Sequence, residues 1–199
     1  MNPELRKIVE ILERGGLVAW PTDTTWGLLA AARPEALARV YELKGRPRGK
    51  PLQLLVADVA TARRLTDTGG FEPAWERLAA RFWPGGLTLV APAAAAAPPT
   101  VVHAGKVGLR VPADEELRQV IAASGGWLAA TSLNRSGRPP AASYEEALQF
   151  AAEIDYVRPG RSAGPASSVY ELPEGRLLRA GAVSQTEIEA ALEEAWSRN

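Results

Sequence analysis

Apolar residues recur every three or four positions in several stretches of the chain, which is the spacing of one buried helix face. The first stretch predicts a helix over residues 3–14 that a glycine pair ends. The second opens at Pro34, a residue favoured in a first helical turn, and predicts a helix running into Lys44. Similar spacing predicts further helices at 58–65, 73–82, 114–123, after Ser143 and after Ser184, the last with Ile188, Leu192 and Trp196 on one face. Asp58 is positioned to cap its helix, and Ser143 with Glu146 and Ser184 with Glu187 form capping-box patterns.

Short apolar runs bounded by turn residues alternate with these helices. They predict strands at 17–20, 26–30, 52–56, 87–91, 107–111, 127–131, 156–157, 168–170 and 176–179. The run of alanine and proline at 91–99 indicates a surface connector. Because strands and helices interleave irregularly and no repeat or shift in composition appears, we expect one α/β domain over residues 1–199, a mixed sheet with flanking helices.

Composition excludes several kinds of chemistry. The 199 residues contain no cysteine and one histidine, His103, so disulfides, thiolate catalysis and the usual zinc sites are excluded, and a serine–histidine–acid triad is improbable. We assign His103 no role and expect an ordinary loop residue. The 23 basic and 23 acidic side chains balance, which gives no reason to expect a large duplex-binding face. No apolar stretch approaches the ~20 residues of a membrane span, and no signal peptide begins the chain, so we expect a cytoplasmic protein.

Three polar segments follow predicted elements and are candidates for ligand binding. Residues 21–25 (PTDTT) lie between two apolar strands and could grip a small polar ligand or form an ordinary hairpin turn. Residues 43–51 (LKGRPRGKP) carry four cations suited to neighbouring phosphates, although a solvated basic loop or a nucleic-acid contact would look the same. Residues 130–139 (ATSLNRSGRP) offer hydroxyls, an amide and guanidinium groups for phosphate or ribose, or form a glycine-containing turn. Neither a Walker A loop nor a Rossmann glycine motif is present.

Two arginines stand inside apolar strand patterns. Arg110 lies in the predicted strand 107–111 and Arg179 ends the predicted strand 176–179. An arginine in such a strand must face solvent or meet an anion, because an unpaired buried charge is costly. Both alternatives stay open at each position. Trp26 is the tryptophan that lies beside a candidate site, next to the PTDTT segment.

Six short motifs in a fixed order make the chain resemble the YrdC-type domain of threonylcarbamoyl-adenylate synthases. The resemblance runs from about Gly15 to Ser184. The motifs are PTDT-x-x-GL from Pro21, K-x-RP with KPL from Lys44, PG-x-LT from Pro84, VGLRVP from Val107, TS-x-N-x-SG from Thr131 and LR-x-GAV from Leu178. Each motif is weak alone, but the set over some 160 residues makes chance agreement very unlikely.

The resemblance implies a twisted mixed sheet with a concave, positively charged cavity, and a reaction of L-threonine, bicarbonate and ATP. The products would be threonylcarbamoyl-AMP and pyrophosphate, used with partner proteins to modify tRNA. Magnesium would accompany ATP, held through phosphate oxygens and by no dedicated protein site. By resemblance, the catalytic residues are Lys44, Arg46, Ser132 and Asn134; the ATP-binding residues are Arg46, Lys50, Ser132, Asn134 and Arg179; and the threonine-binding residues are Thr24, Arg110 and Ser167.

Four positions depart from the family pattern. Trp26 replaces a tyrosine or phenylalanine, and Leu133 replaces a small alanine, which we expect to narrow the pocket. Leu55 falls where many members carry a histidine near the threonine, and Pro140 falls where many carry a nucleotide-contacting serine. We also expect the chain, ending at residue 199, to lack the C-terminal domain of longer members.

Two other functions compete with this interpretation. The same positive cavity could serve a non-catalytic RNA-binding paralogue, or weak RNA binding could accompany the enzyme. Zero net charge argues mildly against the RNA-binding paralogue, and retention of the K-x-R and S-x-N motifs argues against it more strongly. Carbamoyl-adenylate chemistry of hydrogenase maturation is related, but it belongs to larger chains with cysteine-rich zinc fingers, and cysteine is absent here.

Overall fold

The computed structural model describes residues 1–47 and 49–193, and nine strands within them form one mixed sheet. The strands are β1 Val18–Pro21, β2 Trp26–Ala30, β3 Gln53–Val56, β4 Leu87–Pro92, β5 Lys106–Arg110, β6 Trp127–Ser132, β7 Tyr156–Val157, β8 Ser168–Glu171 and β9 Arg176–Arg179. Their order across the sheet is β7-β1-β2-β6-β3-β5-β4-β8-β9. Three neighbouring pairs are parallel and five are antiparallel, which confirms the predicted mixed sheet.

Seven α-helices flank the sheet in the described residues, and each begins within one residue of a predicted helix start. They are α1 Pro3–Glu13, α2 Pro34–Lys44, α3 Val59–Leu65, α4 Glu72–Phe82, α5 Glu115–Ala123, α6 Tyr144–Leu148 and α7 Gln185–Glu193. Asp58, Asp114 and Ser143 each accept a backbone N–H in the first turn of α3, α5 and α6. Before α7, Ser184 and Glu187 exchange hydrogen bonds as the predicted capping box requires. Trp196, predicted on the face of the last helix, lies outside the described residues.

The predicted strand boundaries hold to within one residue, and the difference at the end of β4 is informative. The sequence predicts a surface connector from residue 91, yet β4 continues through Pro92. The extension follows from the partner strand, because Ala91 and Pro92 pair with Val107 and Lys106 of β5. A single 3₁₀ turn at Pro99–Val101 is the regular element of the remaining connector.

Alternation along the strands sends side chains to two different faces of the sheet. On one face, Leu28, Leu54 and Leu109 join the larger apolar core, against which α2, α3, α4, α6 and α7 pack. On the other face, α1 and α5 cover a smaller core built on residues such as Leu29 and Leu128. Those two helices cover only the part of the second face formed by β1, β2, β6 and β3. The remainder of that face is left open toward a cavity.

Candidate active site

The open part of the second face is the floor of a cavity of about 510 Å³. Alternate residues of six strands line the floor, and these include Gly27, Ser132, Gln53, Leu55, Gly108, Arg110, Thr88, Val90, Val169 and Glu171. Among the described lining residues, four cationic side chains (Arg46, Lys106, Arg110 and Arg179) meet one carboxylate, Glu171. The cavity is therefore concave and positively charged, as the resemblance implies, and its charge favours anionic ligands.

Arg110 is the most deeply buried cation on this floor, with 2% of its surface exposed. Its Nε donates to the Gly85 carbonyl at 2.8 Å, Nη1 to Thr24 Oγ1 at 2.8 Å and Nη2 to Asp23 Oδ1 at 2.6 Å. Burial lowers the pKa of the Arg110 guanidinium, and the Asp23 carboxylate works against that shift. Because a guanidinium has five N–H groups, one hydrogen on each terminal nitrogen stays available, which is the number that a carboxylate accepts.

The turn between β1 and β2 holds the partners of Arg110 in place. Thr22 Oγ1 donates to the Thr25 carbonyl at 2.7 Å and accepts the backbone N–H of Thr24 at 3.1 Å. Because the Thr22 hydroxyl donates its single proton to the Thr25 carbonyl, the Thr24 hydroxyl is the donor in the 3.0 Å contact between the two threonine hydroxyls. The PTDTT segment is thus a rigid polar turn beside Arg110. An ordinary hairpin turn accounts for the backbone of this segment, but its residues Thr22, Thr24 and Thr25 also line the cavity.

Lys44 ends α2, and its side chain runs beneath the segment that follows β6. Its Nζ donates to the Ser132 carbonyl at 2.5 Å, the Asn134 carbonyl at 3.0 Å and Asn134 Oδ1 at 2.5 Å. The chain turns away directly after Lys44 because Gly45 adopts the left-handed conformation at φ +57°. Burial, with a contribution from Arg46, lowers the pKa of the Lys44 ammonium to about 8. The three hydrogen bonds engage all three N–H groups of Lys44 Nζ with protein acceptors. Lys44 is not among the residues that line the cavity.

Ser132 and Asn134 line the cavity beside this lysine. Ser132 Oγ donates to Asn134 Oδ1 at 2.7 Å, and the Asn134 amide nitrogen donates to the Arg138 carbonyl. Leu133, between them, is fully buried in the larger core and does not line the cavity. The expectation that Leu133 narrows the pocket is therefore wrong, because its side chain points to the opposite side of the segment.

Leu55 and Pro140 both line the cavity, as their positions in the family pattern imply. Leu55 pairs with Arg110 across β3 and β5, so an apolar wall stands beside the buried cation. Trp26 is fully buried, stacks on Tyr144 at 6.2 Å and is absent from the lining. Although Trp26 lies next to the PTDTT segment in sequence, its ring is part of the core. His103 lies at the exposed rim of the cavity.

Arg46 and Lys50 belong to the basic loop after α2 but differ in placement. Arg46 lines the cavity, and its Nη2 donates to the Pro51 carbonyl at 2.8 Å. Burial lowers the pKa of the Arg46 guanidinium. The side chain of Lys50 is exposed and outside the lining, while its carbonyl accepts the Tyr41 hydroxyl. The structure thus brings Arg46, but not Lys50, to the cavity wall.

Arg179 and Ser167, at the far wall, bind each other. Arg179 Nε and Nη2 donate to the Ser167 carbonyl at 3.0 and 2.8 Å, and Nη2 also donates to Ser167 Oγ at 3.0 Å. Burial lowers the pKa of Arg179, and the charges of Arg110 and Arg46 lower it further. Mutual repulsion of three arginines around one cavity is relieved by an anion between them.

Several residues in and beside the cavity were not identified from the sequence. Gln53 and Thr88 are polar side chains in apolar strands, and Asp23 was seen only as part of a polar segment. Lys106 and Glu171 lie opposite each other on the cavity floor and form an ion pair at 3.0 Å. Alternation contains the signal for three of them, since Gln53 on β3, Thr88 on β4 and Lys106 on β5 lie on the same face of the sheet as Arg110.

In residues 1–47 and 49–193, no helix combines the length and apolar character that crossing a bilayer requires. The same part of the chain brings together no group of three or more His, Cys, Asp or Glu side chains able to hold a metal ion.

Comparison with known proteins gives a consistent result. The family model Sua5_yciO_yrdC, described as telomere recombination, matches residues 10–181. The threonylcarbamoyl-AMP synthase of Pyrococcus abyssi is 37% identical over 96% of this chain, and that of Xanthomonas euvesicatoria is 34% identical over 88%. The crystal structure of P. abyssi Sua5 complexed with L-threonine superposes with a TM-score of 0.87 at 35% identity, covering 96% of this chain.

The relatives differ in length. The chain spans 58% of the P. abyssi synthase and of its crystallised chain, and 97% of the Xanthomonas protein. The likeness therefore extends over nearly all of this chain and over little more than half of the archaeal relative.

Proposed function

Because the chain belongs to the Sua5/YciO/YrdC family, we propose that it is an L-threonylcarbamoyladenylate synthase. In this reaction L-threonine, bicarbonate and ATP give threonylcarbamoyl-AMP, pyrophosphate and water. The relatives carry that name at about a third identity over most of the chain. The product would pass to partner proteins that modify tRNA, in the cytoplasm.

The observation that carries the proposal is the buried Arg110 at the centre of a positive cavity. Its two unused N–H groups suit the carboxylate of an amino acid, and Thr24 stands directly beside it. P. abyssi Sua5 was crystallised with L-threonine, which supports an amino-acid subsite in a cavity of this fold. Ser167, buried on the same floor, completes the proposed threonine-binding set.

The phosphate subsite lies between Arg46, Ser132 and Asn134 on one side of the cavity and Arg179 on the far wall. Two guanidinium groups whose pKa values are lowered by burial gain from an anion placed between them. Lys44 contributes its charge from behind Ser132 and Asn134 and fixes the position of both. The proposed contact of Lys50 with ATP stays a prediction, since that side chain is exposed beside the cavity.

The chemistry needs positioning and charge neutralisation more than acid–base groups. The threonine amine attacks the carbon of bicarbonate, giving a carbamate and water. A carbamate oxygen then attacks the α-phosphorus, while the bond from that phosphorus to the bridging oxygen breaks and pyrophosphate leaves with the electron pair. Negative charge accumulates around the phosphorus, where preorganised arginines lower its energy. Magnesium would neutralise phosphate charge when bound; no acidic cluster in the described residues offers it a protein site, so phosphates would hold it.

The deciding experiment incubates purified protein with ATP, L-threonine and radiolabelled bicarbonate. We expect labelled threonylcarbamoyl-AMP and one pyrophosphate per product, with no product when threonine is omitted. Arg46→Ala should abolish this activity, whereas Arg14→Ala, which removes an exposed arginine paired with Glu10, should leave it unchanged. Absence of threonine-dependent product from folded protein would refute the proposal.

Non-catalytic RNA binding, the alternative function, predicts a different result in the same preparation. RNA affinity would fall steeply with salt and no ATP would bind. Four cations line a cavity whose floor is a sheet, a shape that suits a small anionic ligand better than an extended nucleic acid. The enzyme is therefore the function that the geometry supports best.

A further inference from the structure

A chain of hydrogen bonds crosses the cavity floor from Arg179 to Gln53. Arg179 Nη2 donates to Ser167 Oγ at 3.0 Å, Ser167 Oγ lies 2.9 Å from Thr88 Oγ1, and Thr88 Oγ1 donates to Gln53 Oε1 at 2.8 Å. Both hydroxyls are buried, with 3% of Ser167 and 1% of Thr88 exposed. The four groups lie on β3, β4 and the edge strand β9, and on the residue that precedes β8.

The direction of this chain follows from the number of protons available. Arg179 can only donate, so Ser167 Oγ accepts from it. Because Thr88 donates to Gln53 Oε1, Ser167 Oγ is the donor in its contact with Thr88. Thr88 in turn donates its single proton to the Gln53 carbonyl oxygen. The reverse orientation of the Gln53 amide would leave a buried hydroxyl proton without an acceptor, which costs about 1–3 kcal/mol. The chain therefore begins at a permanent cation and ends at the amide nitrogen of Gln53.

The amide nitrogen of Gln53 carries two N–H donors at the centre of the cavity floor. Among the described residues Gln53 Nε2 has no hydrogen-bond partner, and the side chain lines the cavity. Each bond in the chain polarises the next, so these N–H groups are better donors than those of an isolated amide. They require an acceptor, and an anionic oxygen is the strongest one.

The neighbouring Gly108 leaves room for such a ligand. A methyl group at Gly108 would lie 3.5 Å or more from every neighbouring protein atom, including Gln53 Cβ at 3.6 Å. Its backbone is not in the left-handed region, so the protein itself does not require glycine there. The missing side chain opens the floor beside Gln53.

The sheet register places Gln53 between the two proposed subsites. Gln53 pairs with Ala130, two residues before Ser132 on β6, and lies two residues before Leu55, which pairs with Arg110. On the sheet lattice Gln53 is thus one strand and two residues from both Arg110 and Ser132, about 8 Å between Cα atoms in each case. The group that joins threonine to the α-phosphate must lie between Arg110 and Ser132, above Gln53.

We propose that Gln53 binds the one-carbon anion of the reaction, first bicarbonate and then the carbamate formed from it. This assignment rests on the proposed synthase function. When the threonine nitrogen bonds to the bicarbonate carbon, the C–OH bond breaks and the hydroxyl leaves as water with a proton from the amine. The two oxygens that remain carry the carbamate charge. Gln53 Nε2 holds one of them, which leaves the other free to attack phosphorus.

The test measures the apparent KM for bicarbonate, L-threonine and ATP in Gln53→Leu, with Gln119→Leu on the exposed face of α5 as the matched control. Losing a hydrogen bond to a charged group predicts a rise of about tenfold to a hundredfold in the KM for bicarbonate. The KM values for L-threonine and ATP should change less than threefold. Gln53→Glu, which replaces donors with a negative charge, should be worse than Gln53→Leu, and thermal melts establish that each variant is folded.

A second readout does not depend on turnover. Line broadening of ¹³C-bicarbonate by the wild-type protein with L-threonine, lost in Gln53→Leu and kept in Gln119→Leu, would support the site even in a preparation without synthase activity. In that case the proposed function fails and the anion site stands. A rise confined to the KM for ATP would assign Gln53 to nucleotide binding. Unchanged KM values together with unchanged line widths would show that Gln53 binds none of the substrates. Either result overturns the proposal.

Discussion

Replacing Arg110 with lysine separates its charge from its hydrogen-bonding geometry. The guanidinium uses three N–H groups on Gly85, Thr24 and Asp23 and keeps two for a substrate carboxylate. A lysine ammonium has three N–H groups on a single nitrogen, so the protein acceptors compete with the substrate for all of them. A charge-assisted hydrogen bond contributes about 1.5–3 kcal/mol, and the retained charge keeps part of the attraction, so we expect a loss of about 3 kcal/mol for the pair.

That loss corresponds to a fall of about 150-fold in kcat/KM for L-threonine. The KM for ATP should change little, because the phosphate wall does not include Arg110. Stability should fall by about 1–2 kcal/mol, since a cation remains beside Asp23 and the carboxylate is not left unpaired.

The assay follows threonine-dependent pyrophosphate release, with urea unfolding for stability. Arg63→Lys, in an exposed pair with Glu72, is the matched control and should change neither quantity. A folded Arg110→Lys protein whose KM and kcat for L-threonine both stay within threefold of wild type would refute the carboxylate assignment.

Three further outcomes follow from the structure. Above pH 8 the buried Lys44 loses its proton, while the unfolded chain keeps that proton up to about pH 10.5, so kcat/KM for ATP should fall with an apparent pKa of about 8 and the free energy of unfolding should rise between these two pH values. Lys44→Met should remove both pH dependences, and a pH profile of this variant identical to that of the wild type would contradict the assignment. Gly108→Ala should leave the free energy of unfolding in urea unchanged or raise it by about 0.5 kcal/mol, because the methyl group fits, but it should lower kcat/KM because the methyl group fills the cavity floor. Unchanged activity would show that the ligand does not reach this glycine. Leu133→Ala should cost about 2–5 kcal/mol in urea unfolding with little change in any KM, since its side chain lies in the core; a changed KM in a stable protein would return Leu133 to the cavity.

Much of the fold could be predicted because its local signals agree with one another. The capping residues Asp58, Asp114 and Ser143 begin helices where the apolar period begins, and the glycines after α1 and α2 end them. Sheet order was beyond reach, because neighbouring strands such as β2 and β6 are about a hundred residues apart in the chain. Nothing local records which strand lies beside which.

The candidate site was predicted as a set of segments and not as a set of contacts. The order of the motifs, through the resemblance to the family, placed Thr24, Arg110 and Asn134 in one cavity. The direction of side chains outside the strands was not predictable. Lys44 looks like a surface cation in a basic loop, but its ammonium is directed at three oxygens of a segment 88–90 residues away.

Alternation, applied strictly, would have found more of the site. Leu133 follows Ser132 at the end of β6, and a shift of one residue sends its side chain to the core side. The same argument places Gln53 and Thr88 on the face of Arg110. A single polar residue in an apolar strand carries little information until the register of its neighbours is known.

The interleaved strand order has a consequence for the making of this protein. The central strands of the cavity floor alternate between early and late parts of the chain, with β6 inserted between β2 and β3. A nascent chain that has emerged only as far as residue 126 therefore lacks the strand that joins its first hairpin to the rest of the sheet. Such a chain cannot form the ladder that positions Ser132 beside Lys44, and it presents unpaired strand edges instead. Ligand binding and completion of the sheet are thus coupled, and substrates would stabilise only chains whose synthesis has passed β9.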